Sequence, residues 1–226
     1  MSRLRFMTAG ESHGEHLVAV LSGLPSGLKL DLEQINHELR RRQSGFGRGG
    51  RMTIEKDKVK IIGGLWRGKT TGAPLAFLLT NKDFKIDSMP DLLSPRPGHA
   101  DLAGVLKFNQ PIRPILERAS ARETAMRVAV GTAARELLKA LKIEIVGHVI
   151  QIGTVHTDTS KLSFEKIKAA KKRSDLNCAS IAFEKRMMRE IARAVSSGNS
   201  LGGIFEVRAK GVPPGLGSCM EAGFKL

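Results

Sequence analysis

Reactive side chains crowd a short segment near the start of the chain, GESHGEH, at residues 10–16. The hydroxyl of Ser12 can hydrogen-bond a phosphate, and the imidazole of His13 can give or take a proton near neutral pH. A histidine in a polar turn is more often structural, and motifs this short also match by chance. The segment alone therefore leaves two interpretations open, a turn that leaves a strand and the floor of an active site.

A second segment, RRRQSGFGRGGR at residues 40–51, combines arginines with glycines. Guanidinium groups bind phosphate and carboxylate through paired hydrogen bonds, and glycine lets the backbone approach an anion closely. The candidates for such contacts are Arg42, Arg48 and Arg51. The alternatives are a solvated basic loop and an RNA-binding segment rich in Arg and Gly. Against RNA, the pattern occurs once and Phe46 is its single aromatic residue.

A third motif, SPRPGHAD at residues 94–101, places His99 in a turn whose direction two prolines fix. Arg96 precedes this histidine and Asp101 follows it. A turn of this kind can present one side chain to a ligand, or it can serve as a rigid connector. The residues alone do not decide between these two roles.

The fourth motif, ERASARET at residues 117–124, lies where a long helix is predicted to begin. Ser120 and the glutamate three residues later match a capping box, in which each side chain caps the other's backbone N–H. The free N–H groups and positive potential of a helix N-terminus attract anions, and Arg118 and Arg122 would add to this attraction. The motif therefore predicts both a helix cap and an anion site.

Charge and composition narrow the class of protein. The 226 residues include 37 Lys and Arg against 22 Asp and Glu, and the net charge of +15 calls for an anionic substrate or partner. Two cysteines make no disulfide framework, and we find neither a signal segment nor a membrane span, so we expect a cytoplasmic protein. The spacing of His and Cys residues does not match a zinc site, so no metal is expected. P-loop and Rossmann motifs are also missing. The residues favour an enzyme acting on a small, multiply anionic substrate.

Hydrophobic periodicity predicts the elements that would position these residues. Strands are predicted at 3–8, 16–22, 59–62, 75–80, 143–153 and 203–212. Helices are predicted at 31–42, 120–141, 163–173 and 180–197, the first of them capped by Asp31, and a long loop is predicted at 81–98. Strands and helices follow one another without a regular β-α-β rhythm, which indicates an α+β fold.

Taken together, the motifs resemble those of the chorismate synthases. GESHG, the Arg/Gly segment ending in GRGGRM, GKTTGAP, NKD, RPGHAD, ERASARETAMRVA, GNSLGG and GVPPGLG occur in the family's order. The resemblance extends over essentially residues 2–218. It implies a sandwich with helices between antiparallel sheets, and a homotetramer. It also implies conversion of 5-enolpyruvylshikimate 3-phosphate to chorismate and phosphate by anti 1,4-elimination, the last step of the shikimate pathway toward aromatic amino acids.

The resemblance also implies roles for individual residues. His13 would protonate the leaving phosphate, and His99 would lie beside the reduced FMN that the family requires. Positions that bind the substrate's phosphate and carboxylates are matched by Ser12, Arg42, Arg48, Arg51, Arg96 and Arg122. A flavin-contacting segment is matched by Arg118, Ala119 and Ser120, and positions linked to NADPH in members that reduce their own flavin are matched by Arg42 and Arg48.

The chain also departs from the family pattern. Phe108 stands where Tyr is common, and NQPIRP at residues 109–114 is an unusual version of its segment. The family's later motifs, which include further flavin contacts, have no match, so we expect residues 1–226 to form a single chorismate synthase-like domain that is truncated at its C-terminus. Two alternatives to the lyase remain: an incomplete or inactive paralogue that binds FMN or substrate, and a basic RNA-binding protein.

Overall fold

A computed structural model of the chain describes residues 4–47 and 49–216, with the backbone alone at Thr53. Arg48, Cys219, the start of the strand predicted at 3–8 and the end of the GVPPGLG motif lie outside the described residues. The chain divides into two compact units, here called the first and second units. The first comprises the described residues up to Ser44 and from residue 49 to Leu137; the second comprises residues 45–47 and 138–216.

The first unit contains every residue predicted for the site that the structure describes. Its strands and helices in chain order are β1 (Arg5–Ala9), β2 (His16–Ser22), α1 (Leu32–Gln43), α2 (Arg51–Ile54), β3 (Val59–Gly63), β4 (Leu65–Trp66), β5 (Lys69–Thr70), β6 (Leu75–Thr80), α3 (Asp101–Phe108), α4 (Ile112–Arg118) and α5 (Thr124–Ala140), of which the last extends past Leu137. Single 3-10 turns occur at Ile86–Ser88 and Ala121–Glu123.

The four longer strands form one antiparallel sheet in the order β1-β2-β6-β3. Alternate side chains of the two central strands are buried, as the period of two requires, and Ala19 lies opposite Phe77. This face packs against α1 and α5 in one hydrophobic core. The buried residues of that core include Leu17, Leu21, Leu75, Leu79, Ile35, Leu39, Met126, Ala129 and Ala133.

The two predicted cap residues, Asp31 and Ser120, both accept backbone hydrogen bonds, but Ser120 and Glu123 do not form the predicted capping box. Asp31 caps α1 by accepting hydrogen bonds from the backbone N–H groups of Glu33 (2.9 Å) and Gln34 (3.2 Å). Ser120 accepts from the N–H of Arg122 at 3.3 Å, and a 3-10 turn then leads into α5. The carboxylate of Glu123 does not turn back to Ser120, since it accepts hydrogen bonds from Thr8 and Arg127 instead. The capping-box prediction was therefore wrong in this respect.

The sequence did not reveal α3 and α4, which follow the predicted loop. Their lengths of 8 and 7 residues are too short for a clear helical period, and Pro111 and Pro114 flank or interrupt the second. The two helices are in close contact at Gly104, where an added Cβ atom would lie 2.3 Å from Cγ2 of Ile115. Glycine is therefore required here by packing rather than by backbone conformation.

The second unit contains β7 (Glu144–Ile152), β8 (Val155–His156), α6 (Phe164–Lys171), α7 (Ile181–Ser196) and β9 (Gly203–Lys210). Its antiparallel sheet has the order β8-β7-β9, and its core includes Val155, Leu176, Cys178 and Met187. Helices and antiparallel sheets in both units confirm the α+β prediction. Among the described residues, no helix is both long and apolar enough to cross a bilayer.

Candidate active site

His13 is held in place by a buried carboxylate from α4. Its ring Nδ1 lies 2.7 Å from Oε2 of Glu117, and its backbone N–H donates to the same oxygen at 3.0 Å. The backbone N–H of Ser12 donates to the carbonyl oxygen of Glu117, also at 3.0 Å. The Glu117 side chain is fully buried, whereas the His13 side chain is 21% exposed. The imidazole is therefore fixed on its inner side and accessible on its outer side.

Arg51 lies at the outer side of the ring, on the first turn of α2. Its Nη1 donates to Ser12 Oγ at 2.6 Å and lies 3.2 Å from His13 Nε2, and its Nη2 donates to the carbonyl of Ser12 at 2.5 Å. Asp83 Oδ2 lies 3.4 Å from the same ring nitrogen. A hydroxyl, an imidazole and a guanidinium therefore converge at one partly exposed point.

Glu55 holds the guanidinium of Arg51 in place through an ion pair. Its Oε1 accepts from Arg51 Nη2 at 3.2 Å, and its two oxygens also accept the N–H groups of Lys82 and Asp83. Burial raises the pKa of Glu55, but these hydrogen bonds and the charge of Arg122 outweigh burial, so the pKa lies below its usual value. The carboxylate is therefore ionised at neutral pH and orients the guanidinium.

Arg122 lies deeper than the resemblance implies for a residue that binds substrate directly. Its side chain is 2% exposed, and its Nη1 lies 2.7 Å from Asp57 Oδ1. Its Nε donates to Asn81 Oδ1 at 2.9 Å. Arg42 Nη1 lies 3.5 Å from the other oxygen of Asp57, with 11% of its side chain exposed. This geometry favours a supporting role for Arg122 beneath Arg42.

Asn81 joins this buried ion pair to the GESHG turn. Its Nδ2 donates to the carbonyls of Ser12 (3.2 Å) and Gly14 (2.7 Å), and its Oδ1 accepts from Arg122. An amide can make such a connection because it offers donors and an acceptor at the same end of the side chain. The turn that carries His13 is therefore fixed by Asn81 on one side and by Glu117 on the other.

The SPRPGHAD turn is closed by an ion pair of its own. Arg96 donates to the buried carboxylate of Asp101 through Nε (2.9 Å), Nη2 (3.0 Å) and its backbone N–H (3.0 Å). Hydrogen bonds from Arg96 therefore lower the pKa of Asp101 to about 2. His99 is exposed in the turn that this ion pair closes, and its N–H donates to the carbonyl of Arg96 at 3.4 Å.

The segment matched to flavin contacts is accessible at the end of α4, before the 3-10 turn that leads into α5. Arg118 and Ala119 are exposed, and Ser120 is half-buried. Arg118 Nη2 donates to the carbonyl and hydroxyl oxygens of Thr8, at 2.8 and 3.1 Å. An exposed guanidinium suits an anionic group such as the FMN phosphate.

Comparison with known proteins identifies the family. A family model described as chorismate synthase matches residues 4–226. The chain belongs to the chorismate synthase family.

Relatives and a solved structure agree with this assignment. Curated chorismate synthases from Alkaliphilus metalliredigens and Koribacter versatilis are 48% and 46% identical to the chain, over 98% and 96% of its length. A crystal structure of chorismate synthase matches with a TM-score of 0.81 and 40% identity, over 99% of the chain. The predicted chorismate synthase-like fold is thereby confirmed.

This member of the chorismate synthase family spans only part of the length of these relatives. The matched region is 61% of the Alkaliphilus protein, 59% of the Koribacter protein and 62% of the crystallised chain. The assignment of family and fold therefore rests on that region.

Sequence reasoning missed the carboxylates that organise the site. They are Glu117, Asp83, Glu55 and Asp57, and the amide of Asn81 was missed as well. Three of these five residues lie inside motifs that were used mainly to recognise the family, NKD and ERASARET. An acidic residue adjoining an arginine-rich motif is the signal that could have identified them, because buried arginines require matching negative charge.

Proposed function

We propose that this chain carries the phosphate-eliminating site of a chorismate synthase, a carbon–oxygen lyase. The substrate is 5-enolpyruvylshikimate 3-phosphate, and the products are chorismate and phosphate. The supporting observation is the convergence of three groups, since Arg51 Nη1 lies 2.6 Å from Ser12 Oγ and 3.2 Å from His13 Nε2. In the reaction the C–O bond to phosphate breaks, C6 loses a proton, and the electrons of that C–H bond remain in the new diene.

Each of these groups has a distinct role at the leaving phosphate. Arg51 and Ser12 donate hydrogen bonds to phosphate oxygens and offset their negative charge. His13 donates a proton from Nε2 to a phosphate oxygen as the C–O bond breaks, which is general acid catalysis. Arg42 and Arg96 bind the substrate's carboxylates in this proposal, and Arg48 is assigned a similar role on the resemblance alone.

Reduced FMN is the proposed cofactor, and when bound it would supply electron density to the reacting substrate. Arg118, Ala119 and Ser120 would hold its anionic end, since the segment is accessible and includes the guanidinium of Arg118. His99 would lie at the edge of the ring. NADPH as reductant, bound through Arg42 and Arg48, is a finer proposal that rests on the resemblance.

The surroundings and assembly of the chain are proposed on similar grounds. We propose a cytoplasmic homotetramer with no nucleic acid or membrane partner. RNA binding is disfavoured, because the Arg/Gly pattern occurs once and Phe46 is its single aromatic residue.

An anaerobic assay of this chain with chemically reduced FMN and the substrate tests the proposal through the absorbance of chorismate. We expect turnover, and we expect His13→Ala to lower it by about 10²-fold or more, the usual contribution of a general acid. The control is His37→Ala, which removes a histidine that is 60% exposed on α1. Equal losses from both variants would contradict the role of His13.

A further inference from the structure

We propose that Glu117 is a positioning residue that fixes the tautomer of His13, with Arg113 holding the carboxylate in place. This inference rests on the proposed function only in its consequence for activity. The geometric part concerns which ring nitrogen of His13 carries a proton, and it can be tested without substrate.

The contacts of Glu117 assign its two oxygens to different partners. Oε2 faces His13 and lies 2.7 Å from Nδ1 and 3.0 Å from the backbone nitrogen. Oε1 accepts from Arg113 Nη1 at 3.3 Å. The carboxylate is fully buried, so no water competes for these positions. An ionised carboxylate can only accept hydrogen bonds. Nδ1 of His13 must therefore carry the proton that it shares with Glu117.

Arg113 is itself fixed by the segment that precedes α3. Its Nε donates to the carbonyl of Pro90 and its backbone N–H donates to Asp91 Oδ1, both at 2.9 Å. Its side chain is 14% exposed, and the guanidinium supplies the positive charge that a buried carboxylate needs. Arg113 therefore prevents Glu117 from rotating away from the imidazole.

The consequence falls on the outer nitrogen of the ring. With Nδ1 always protonated, gain or loss of a proton takes place at Nε2 alone. Nε2 lies 3.2 Å from Arg51 Nη1 and 3.4 Å from Asp83 Oδ2, at the exposed end of the ring. The neutral ring accepts from Arg51 there, and the protonated ring donates there. Glu117 thus directs the whole acid–base capacity of His13 toward the point where the proposed phosphate binds.

Glu117→Gln is the appropriate variant because it keeps the side chain's shape and replaces one of the two acceptor oxygens with a donor. If the new amide presents its oxygen to His13, its NH2 opposes the guanidinium of Arg113. If the amide presents its NH2 to His13, that group opposes the backbone N–H and requires Nδ1 to accept. Either orientation weakens the constraint, and the second reverses the tautomer to Nε2–H.

Nitrogen-15 NMR of histidine-labelled protein measures the tautomer directly, with the His13 signals identified by their loss in His13→Ala. We expect the neutral ring of the unsubstituted chain to carry its proton on Nδ1, and Glu117→Gln to shift the population toward Nε2–H. The control is Glu184→Gln in the second unit, a buried carboxylate that accepts from Leu176 and Ser174 rather than from a histidine. It should leave the His13 signals unchanged.

Kinetics provide the second readout. Glu117→Gln should lower kcat by about 10²-fold, within the range that general acid–base catalysis contributes, with KM unchanged. A neutral ring with its proton on Nε2 in the unsubstituted chain would overturn the inference, because Glu117 would then not set the tautomer. The spectrum of the unsubstituted chain decides the tautomer even if Glu117→Gln does not fold. If that chain makes no chorismate, the proposed function fails while the nitrogen spectra still decide the role of Glu117.

Discussion

The buried pair formed by Asp57 and Arg122 makes a quantitative prediction about stability. Asp57→Asn keeps the shape of the side chain and one acceptor, and removes the negative charge 2.7 Å from the Arg122 guanidinium. Both side chains are 2% exposed or less, so solvent cannot replace the lost partner. Breaking such a pair on one side costs about 3–5 kcal/mol. Glu55, whose Oε2 lies 3.6 Å from Arg122 Nη2, remains as partial compensation. We therefore expect Asp57→Asn to lower the free energy of unfolding by about 3 kcal/mol, the lower end of the range.

The matched control is Glu123→Gln, which makes the same change of charge in a pair whose cation is exposed, with Glu123 itself 14% exposed. Its partner Arg127 is 62% exposed, so the ion pair is screened by water and salt. Pairs of this kind contribute about 0–1 kcal/mol. The amide oxygen introduced by Glu123→Gln can still accept the hydrogen bond from Thr8. The difference between the two variants compares a pair in which both side chains are buried with one in which the guanidinium is in water.

Native-state hydrogen exchange of peptides covering β2 and β6 is the suitable assay, because the two units need not unfold together. Protection in these strands should fall by about 3 kcal/mol in Asp57→Asn and by less than about 1 kcal/mol in Glu123→Gln. Losses below about 1 kcal/mol in both variants would refute the reasoning. They would mean that Asp57 and Arg122 are not paired in a desolvated setting.

Two further predictions concern the helices after β6 and the turn before them. Gly104→Ala should destabilise the first unit by about 1–3 kcal/mol in urea unfolding, because its Cβ would lie 2.3 Å from Ile115 Cγ2. The control is Gly131→Ala, whose added Cβ would have no atom within 4 Å, and it should stabilise the first unit by about 0.5–1 kcal/mol. Equal effects of the two substitutions would refute the packing argument. Since hydrogen bonds from Arg96 lower the pKa of Asp101 from 3.8 to about 2, the ion pair's stabilisation is complete above pH 3.8 and is lost as the pH falls toward 2. The Arg96 Nε–H resonance should titrate near pH 2 and lose that titration in Asp101→Asn; a midpoint near 3.8 would contradict the ion pair.

Periodicity in the sequence located the elements that form the core, because their pattern is set by local geometry. The alternation in β2 and β6 reflects one buried face, and the spacing of apolar residues in α1 and α5 reflects packing on that face. The sequence did not predict the short helices α3 and α4. Their packing depends on one contact, between Gly104 and Ile115, rather than on a repeating pattern.

The reactive groups of the site were visible in the sequence, but their supporting contacts were not. His13 and Arg51 stand out by residue type and by their glycine-rich surroundings. Glu117 is 104 positions from His13, and nothing in either segment alone indicates that the two side chains meet. Arg122 was predicted to face the substrate, yet tertiary packing buries it against Asp57. The role of Arg122 as a substrate ligand stays a prediction.

A single turnover, quenched and analysed for both products, tests the proposed elimination most directly. Enzyme in excess over 5-enolpyruvylshikimate 3-phosphate, with chemically reduced FMN and no oxygen, should release chorismate and inorganic phosphate in equal amounts. Both products should slow together by about 10²-fold in His13→Ala, because one proton transfer assists one bond cleavage. Phosphate without chorismate, or equal rates in the unsubstituted chain and His13→Ala, would contradict the assignment of His13 as the acid at the leaving phosphate.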